Sequence, residues 1–194
     1  MILFVCLLSF IIGSIPWGYL IGKAKGIDLR KTGSGNIGAT NVMRIIGKKE
    51  ALITLLLDIS KGFIPVWLIS LIYPKNFTLM GLAGIFAILG HCFTPFLKFK
   101  GGKGVATSIG VLLAYTPLSA LITIMIWIFV FKASKISSLA ALISFALLPV
   151  TVYIINYPND ALIFASLVTA IIYLRHIPNI KRLLKGTELK VGEK

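Results

Sequence analysis

Acidic residues are scarce in this sequence, and so are charged residues in general. The 194 residues include 6 Asp and Glu, and the charged fraction is 13%, about half of what soluble domains carry. So few charges cannot cover a water-exposed surface, which excludes a soluble globular protein. Because 57% of the residues are hydrophobic and the mean hydropathy is +0.95, an intrinsically disordered chain is excluded as well. The remaining class is an integral membrane protein.

Cysteine and histidine are also few. The two cysteines, Cys6 and Cys92, fall within apolar runs, where small core side chains are expected rather than a disulfide or a metal pair. The two histidines and the scattered acids show no metal-ligand spacing. We therefore predict no metal site and no cofactor.

Six long apolar runs separated by short basic segments predict an all-α membrane protein. One of them, residues 105–131, would be about 40 Å long as a single helix, which is too long for a hydrocarbon core of about 30 Å. Divided at Thr116-Pro117, it becomes two short helices, and the chain then has seven spans. The other runs cover residues 2–21, 51–73, 77–97, 136–156 and 160–174.

The basic residues decide between six spans and seven. With seven, 18 of the 20 Lys and Arg lie on one side of the membrane, whereas six spans divide them 10 against 9. Since basic loops concentrate on the cytoplasmic side, we predict seven transmembrane helices in a single membrane domain, residues 1–194. The N-terminus is then outside and the C-terminus cytoplasmic. Membrane placement and anionic headgroups explain most of the net charge of +14, so no nucleic-acid partner is predicted.

Three polar segments fall together on the predicted cytoplasmic side: residues 31–44, 98–107 and 175–188. Loops that merely connect helices do not need this composition, so we expect the three to converge on one site at the membrane interface. The first contains a GxGxxG pattern, but it follows a transmembrane helix rather than a strand, which argues against a dinucleotide site. The second contains Gly102-Lys103 without the other residues of a P-loop.

The residue types in these segments suit a phosphate group. Glycines let backbone N–H groups converge on an anion, and Lys103 directly precedes a predicted helix start, which favours negative charge. His176 is the candidate for acid–base chemistry because its ordinary pKa is near neutrality. Three later cations at helical spacing suit either lipid headgroups or the same anion site: Lys181, Arg182 and Lys185. Further donors in the three segments are Ser34, Asn36, Thr40, Asn41, Arg44 and Asn179.

Three strings resemble the motifs of the PlsY-type acylphosphate:glycerol-3-phosphate acyltransferases in order, spacing and cytoplasmic placement: GSGNIGATNVMR, FKGGKGVAT and HIPNIKRLLKGTE. The resemblance covers essentially the whole chain. It implies an enzyme of the bacterial inner membrane with its active site facing the cytoplasm. The implied reaction moves a fatty acyl group from acyl phosphate to the 1-hydroxyl of sn-glycerol 3-phosphate, giving lysophosphatidic acid and phosphate for phospholipid synthesis.

The resemblance also implies roles for individual residues. Those expected to hold glycerol 3-phosphate are Ser34, Arg44, Lys103, His176 and Asn179, with Ser34, Lys103 and His176 as the catalytic set. Those expected to bind acyl phosphate are Asn36, Thr40, Gly101, Gly102 and Gly104. Asn41 and Glu188 are expected to give structural support. The family favours the phosphate of the substrate as the base, although His176 stays open for that role. The partners are the two substrates and membrane lipid, with no obligate protein partner.

A transporter or flippase for an organophosphate or a lipid is the alternative. It would use the same anion-binding segments together with Asp58 and Lys61, which lie three residues apart inside the second apolar run and are expected to pair on one helix face. Against this alternative, the polar segments all lie on one side, and the sequence shows no inverted repeat.

Overall fold

The computed structural model describes residues 1–192, and all regular structure in that range is helical. The last two residues of the predicted domain, 193 and 194, lie outside it. A short 3₁₀ helix, Pro95–Leu97, follows the fifth α-helix. The α-helices are α1 (Ile2–Ser14), α2 (Trp17–Ala24), α3 (Ala39–Ile45), α4 (Lys48–Ile72), α5 (Phe77–Cys92), α6 (Val105–Tyr115), α7 (Pro117–Ser134), α8 (Ser137–Ala146), α9 (Leu148–Ile154), α10 (Asn159–Arg175) and α11 (Ile177–Leu184).

Several helices are long and apolar enough to cross a membrane. Within residues 1–192 there are five such stretches, and α10 with α11 is a sixth candidate, bent by 62°. Helix α6 is apolar but shorter. The all-helical class is confirmed, while the predicted count of seven spans requires α6 to be counted as one. The five stretches are Ile2–Ala24, Lys48–Ile72, Phe77–Leu97, Pro117–Ser134 and Ser137–Ile154.

The long apolar run after residue 104 is divided where the sequence predicts. Helix α6 ends at Tyr115 and α7 begins at Pro117, since proline cannot continue the hydrogen bonding of the preceding helix. The expectation of two short helices is wrong for α7, which continues through Lys132 to Ser134 and has 18 residues. A lysine suits the last turn because its charge complements the helix dipole and its stem can lie along apolar surface.

Glycines let two pairs of helices approach to backbone contact. A Cβ atom at Gly62 in α4 would lie 2.1 Å from the Thr107 carbonyl oxygen in α6, and one at Gly13 in α1 would lie 2.1 Å from that of Ala87 in α5. Such close packing is typical of membrane helices, whose association in lipid has no hydrophobic driving force. It holds the first turn of α6, where the second polar segment ends, directly against α4.

Asp58 and Lys61 form the expected ion pair on α4. The Lys61 Nζ lies 2.9 Å from Asp58 Oδ1, and both side chains are 3% exposed. Lys61 also donates to the carbonyl oxygen of Ile15 at 2.7 Å, at the break between α1 and α2. The pair therefore ties α4 to that break. The imidazole Nδ1 of His91 lies 3.7 Å from the same carboxylate oxygen.

Lys61→Met is expected to destabilise the protein strongly because it leaves the Asp58 carboxylate buried without its counter-charge. Removing one partner of a buried pair costs about 3–5 kcal/mol, whereas replacing both partners costs much less. The double variant Asp58→Asn/Lys61→Met should therefore melt at a higher temperature than Lys61→Met. Thermal unfolding of both variants in the same detergent measures this. A double variant that melts as low as the single one contradicts the ion-pair explanation.

Candidate active site

The first polar segment is a tight loop organised by Asn41, which is buried. The Oδ1 of Asn41 accepts the N–H of Ser34 at 2.9 Å. Gly33 has φ +59°, and a Cβ there would lie 2.3 Å from this Oδ1, so the position requires glycine. The loop is thereby held in one shape up to α3. The Nδ2 of Asn41 donates to three backbone carbonyls, those of Leu29, Thr32 and Asn36.

The second polar segment is held by backbone hydrogen bonds to the end of α5. The N–H of Gly101 donates to the Cys92 carbonyl, and that of Gly102 donates to the His91 carbonyl, both at 3.1 Å. These two amides are therefore engaged and do not face a phosphate, contrary to the expected cradle. A Cβ at Gly101 would lie 2.1 Å from the His91 carbonyl oxygen, and one at Gly102 would lie 2.1 Å from the His91 Nε2. Both glycines are needed for close packing.

Gly104 closes the second segment at the start of α6. Its φ of +89° belongs to the left-handed region that favours glycine. The N–H groups of the first helical turn that follows have no partner within the helix. Together with the dipole of α6, they make the end of this segment favourable for negative charge.

The third polar segment is mostly helical, because α11 begins directly after the bend at His176. Glu188 closes back on it and accepts hydrogen bonds from Ser138 Oγ at 2.7 Å, Asn179 Nδ2 at 2.5 Å and Arg182 Nε at 2.6 Å. Burial by itself would raise the pKa of Glu188, but these three hydrogen bonds outweigh it and lower the pKa. Glu188 thus joins α8, α11 and the C-terminal segment as a carboxylate.

The three segments meet at one groove of about 300 Å³. It contains four of the residues expected at the site, which come from all three segments. One of these four, Lys103, is a cation, and two arginines and a short apolar edge complete the lining. A groove with this lining is suited to an anion that carries an apolar group. The lining residues are Ser34, Gly35, Asn36, Lys103, Leu174, Arg175, Pro178, Asn179 and Arg182.

Three other expected residues are not part of the groove lining. The Nε of Arg44 is buried and has no hydrogen-bond partner among the described residues, although its charge acts on Lys103. His176 is 2% exposed. The Thr40 hydroxyl lies 3.1 Å from the Ser137 hydroxyl and so joins α3 to α8. An unsatisfied guanidinium nitrogen next to the groove is consistent with an anionic ligand.

The amine of Lys103 has a lowered pKa. Burial lowers its pKa to about 8. The negative charge of Glu188 opposes this change, and the positive charges of Arg182, Arg175 and Arg44 add to it. Lys103 is therefore mainly protonated at pH 7 but loses its charge within the mildly alkaline range.

His176 is neutral at physiological pH. Burial, followed by the charge of Lys103, lowers its pKa to about 4. Its Nδ1 lies 2.8 Å from the Ile172 carbonyl oxygen, which can only accept, so Nδ1 carries the ring proton. The Nε2 of the neutral ring is then a hydrogen-bond acceptor, which suits a hydroxyl better than a phosphate oxygen.

Two arginines in the groove were not predicted as site residues. For Arg182 the sequence leaves lipid headgroups and the site equally open, and the structure places it in the groove lining with Asn179, which lies three residues earlier on the same helix face. Arg175 contacts the second segment, 73 and 74 residues earlier in the chain, and nothing in the local sequence indicates this. The cysteines behave as expected, since both are buried and unpaired.

Comparisons with known proteins find relatives that share one description. The family model described as glycerol-3-phosphate acyltransferase matches residues 3–186. A glycerol-3-phosphate acyltransferase of Sinorhizobium fredii is 48% identical over 96% of this chain and 90% of its own length. One of Aquifex aeolicus is 40% identical over 96% of this chain and 97% of its own length.

Two solved structures match almost the whole fold. Both are described as PlsY, an integral membrane glycerol 3-phosphate acyltransferase. The glycerol 3-phosphate form has a TM-score of 0.95 and 39% identity, covering 98% of this chain and 96% of that one. The lysophosphatidic acid form has a TM-score of 0.92 and 38% identity, covering 97% and 94%. These matches confirm the predicted acyltransferase rather than the alternative transporter, and the chain belongs to the glycerol-3-phosphate acyltransferase family.

Proposed function

We propose that this protein transfers a fatty acyl group from acyl phosphate to the 1-hydroxyl of sn-glycerol 3-phosphate. The observation that carries the proposal is the groove in which Ser34, Lys103 and Asn179, one from each polar segment, meet. Cations for a phosphate and acceptors for hydroxyls lie side by side there. Relatives solved in glycerol 3-phosphate and lysophosphatidic acid forms support the same acceptor and product.

The polarity of the side chains divides glycerol 3-phosphate into two ends. Lys103, Arg44 and the Ser34 hydroxyl are donors and suit its phosphate. The Nδ2 of Asn179 donates a hydrogen bond to Glu188. The Oδ1 of Asn179 is buried without a partner among residues 1–192. That Oδ1 and the Nε2 of His176 are acceptors, and they suit the glycerol hydroxyls.

The acyl phosphate is placed at the start of α6. Its head would lie near Asn36 and Gly104, where the first-turn amides of α6 lack helical partners. Thr40 is not part of the groove lining, and its hydroxyl lies next to that of Ser137. Gly101 and Gly102 support it indirectly, by packing on the end of α5, rather than through their amides. The acyl chain would leave along the apolar edge at Leu174 toward the lipid.

Acyl phosphate is an activated donor, so the site needs mainly to position and to neutralise charge. The 1-hydroxyl oxygen attacks the acyl carbonyl carbon and forms the ester bond. The bond between that carbon and the phosphate oxygen breaks, and inorganic phosphate leaves with the electron pair. The hydroxyl proton passes to the phosphate of glycerol 3-phosphate, the base that we favour, with His176 Nε2 as the competing acceptor. The pKa of His176, about 4, makes it the weaker base.

An assay with purified protein in detergent or a lipid mesophase tests the donor and the acceptor. Palmitoyl phosphate and glycerol 3-phosphate should together give phosphate release and lysophosphatidic acid, and omission of either substrate should prevent both. Palmitoyl coenzyme A and palmitoyl-acyl carrier protein serve as donor controls. Turnover with these thioesters but not with palmitoyl phosphate would contradict the proposed donor.

The pKa of Lys103 predicts an alkaline limb in the KM for glycerol 3-phosphate. The protonated amine of the free enzyme binds the phosphate dianion, and its fraction falls from about nine tenths at pH 7 to about one tenth at pH 9. We therefore expect KM to rise about tenfold over this interval, with kcat changing less. Lys103→Arg keeps its charge and should show no such rise. A KM that stays constant to about pH 9 in the native enzyme would contradict the assignment.

The acid limb of the pH profile of kcat, measured with saturating glycerol 3-phosphate, distinguishes the two candidate bases. A phosphate monoester takes its second proton near pH 6, whereas His176 titrates near pH 4. A limb near pH 6 that moves upward with the more basic phosphonate analogue of glycerol 3-phosphate supports the substrate as base. A limb near pH 4 that is unchanged by the analogue supports His176.

For the membrane arrangement, we propose seven spans in a single domain of the bacterial inner membrane, with α6 as the short one. The N-terminus is outside, and the groove and C-terminus face the cytoplasm. The support is the distribution of Lys and Arg residues, of which Lys75 alone would lie in a loop on the outer side. Cysteines introduced by Lys75→Cys and Lys100→Cys test this with an impermeant maleimide on intact cells. Labelling at position 100 instead of 75 would invert the proposed orientation.

A further inference from the structure

Arg175, the last residue of α10, holds the segment that precedes Lys103. Its Nε donates to the Gly102 carbonyl at 3.1 Å, and its Nη2 donates to the Gly101 carbonyl at 3.0 Å. The guanidinium lies over the ring of Phe93, 5.1 Å from the centroid. Two consecutive carbonyls and an aromatic face thus determine the orientation of one guanidinium.

The same two glycines are held from the opposite side by α5. Their N–H groups donate to the carbonyls of Cys92 and His91, while their own carbonyls accept from Arg175. Gly101-Gly102 is therefore hydrogen-bonded through both its amides and its carbonyls, and Lys103 is the next residue. Displacement of this dipeptide would displace the backbone from which the Lys103 side chain extends.

Arginine is the residue type suited to this contact. A guanidinium presents several N–H donors in a rigid planar fork and stacks on aromatic rings, whereas a lysine amine is a point charge on a flexible stem. Arg175 also lines the groove, and its positive charge is one of those that act on the Lys103 amine. Arg175 therefore affects both the position and the charge of Lys103.

We propose that Arg175 is a positioning residue for acyl transfer, which holds the Gly101-Gly102 carbonyls so that Lys103 faces the phosphate site. The inference rests on the proposed function, because it assigns Lys103 to glycerol 3-phosphate. Arg175 also connects α10, and through the bend at His176 the third polar segment, to the second polar segment.

The test compares Arg175→Met, Arg175→Lys and the control Lys181→Met, which changes an exposed cation on α11. Arg175→Met should lower kcat/KM about 100-fold, as expected when a catalytic group is misplaced. It should also move the alkaline limb of the KM for glycerol 3-phosphate to higher pH, because a positive charge near Lys103 is gone. Arg175→Lys keeps the charge and part of the hydrogen bonding, so its loss should be about tenfold, with the limb unmoved.

Gel filtration and thermal unfolding confirm that each variant is folded, and Arg175→Lys serves as the test if Arg175→Met does not fold. Wild-type kcat/KM in a folded Arg175→Met would overturn the proposal. So would a loss of activity with the limb unmoved in Arg175→Met, since a merely structural residue would behave in that way. Failure of the wild-type enzyme to use palmitoyl phosphate would instead contradict the proposed function.

Discussion

Lys103→Ala is expected to lower kcat/KM by about 10³-fold or more while leaving the protein folded. Lys103 is the cation of the second polar segment in the groove, and a positioned cation at a phosphate acts in a water-poor site where its charge has a large effect. Lys100→Ala is the matched control, since Lys100 belongs to the same segment but is exposed. We expect it to retain activity within about twofold of the wild type.

Although Lys103→Ala should lose activity, its thermal stability should be equal to or slightly above that of the wild type. The pKa of Lys103 is lower in the folded protein than in the unfolded chain, so below about pH 8 the folded state carries a charge that it disfavours. This penalty is relieved as the pH rises through the folded pKa. Lys103→Ala without substrate should therefore melt at the same temperature as the wild type or slightly higher at pH 7. A folded and fully active Lys103→Ala would exclude Lys103 from catalysis, and a large drop in melting temperature would show that the activity loss reflects misfolding.

Gly101→Ala is the second change with a large expected effect. The added Cβ would overlap the backbone carbonyl of His91 at 2.1 Å, and backbone inside a helix cannot move aside as a flexible side chain does. The substitution should lower the melting temperature by about 5 °C. We also expect kcat/KM to fall by at least about 100-fold, because the dipeptide that precedes Lys103 is displaced. Assay and thermal unfolding of the same purified sample measure both effects.

Gly186→Ala provides the control for this prediction. Gly186 lies in the third polar segment, and no atom lies within 4 Å of a Cβ built there, so the loss should be small and due to its positive φ. The comparison also separates two roles for Gly101. Lower stability together with lower activity supports close packing on α5. Native stability with weakened acyl phosphate affinity alone would support the amide cradle that the sequence predicts.

The sequence predicts the class of the protein and the location of its site because those properties depend on composition and on local signals. Few charges and long apolar runs require a membrane protein, and Thr116-Pro117 marks the break between α6 and α7 because proline acts on its own turn. The donors at Ser34, Lys103 and Asn179 follow from residue type within each segment, and the groove contains all three.

Hydrogen-bond partners distant in the chain were decided only by the tertiary structure. The amides of Gly101 and Gly102 are engaged by α5, and their carbonyls by Arg175. From the sequence alone, the glycines of the second polar segment could equally have bound an anion through their amides. Glu188 likewise orients the amide of Asn179 by accepting a hydrogen bond from its Nδ2, which leaves its Oδ1 as the free acceptor. Residue type determines whether a group can donate or accept a hydrogen bond. Which partner it bonds to is determined by helix packing. That packing rests on backbone contacts between residues far apart in the chain, which have no local signature in the sequence.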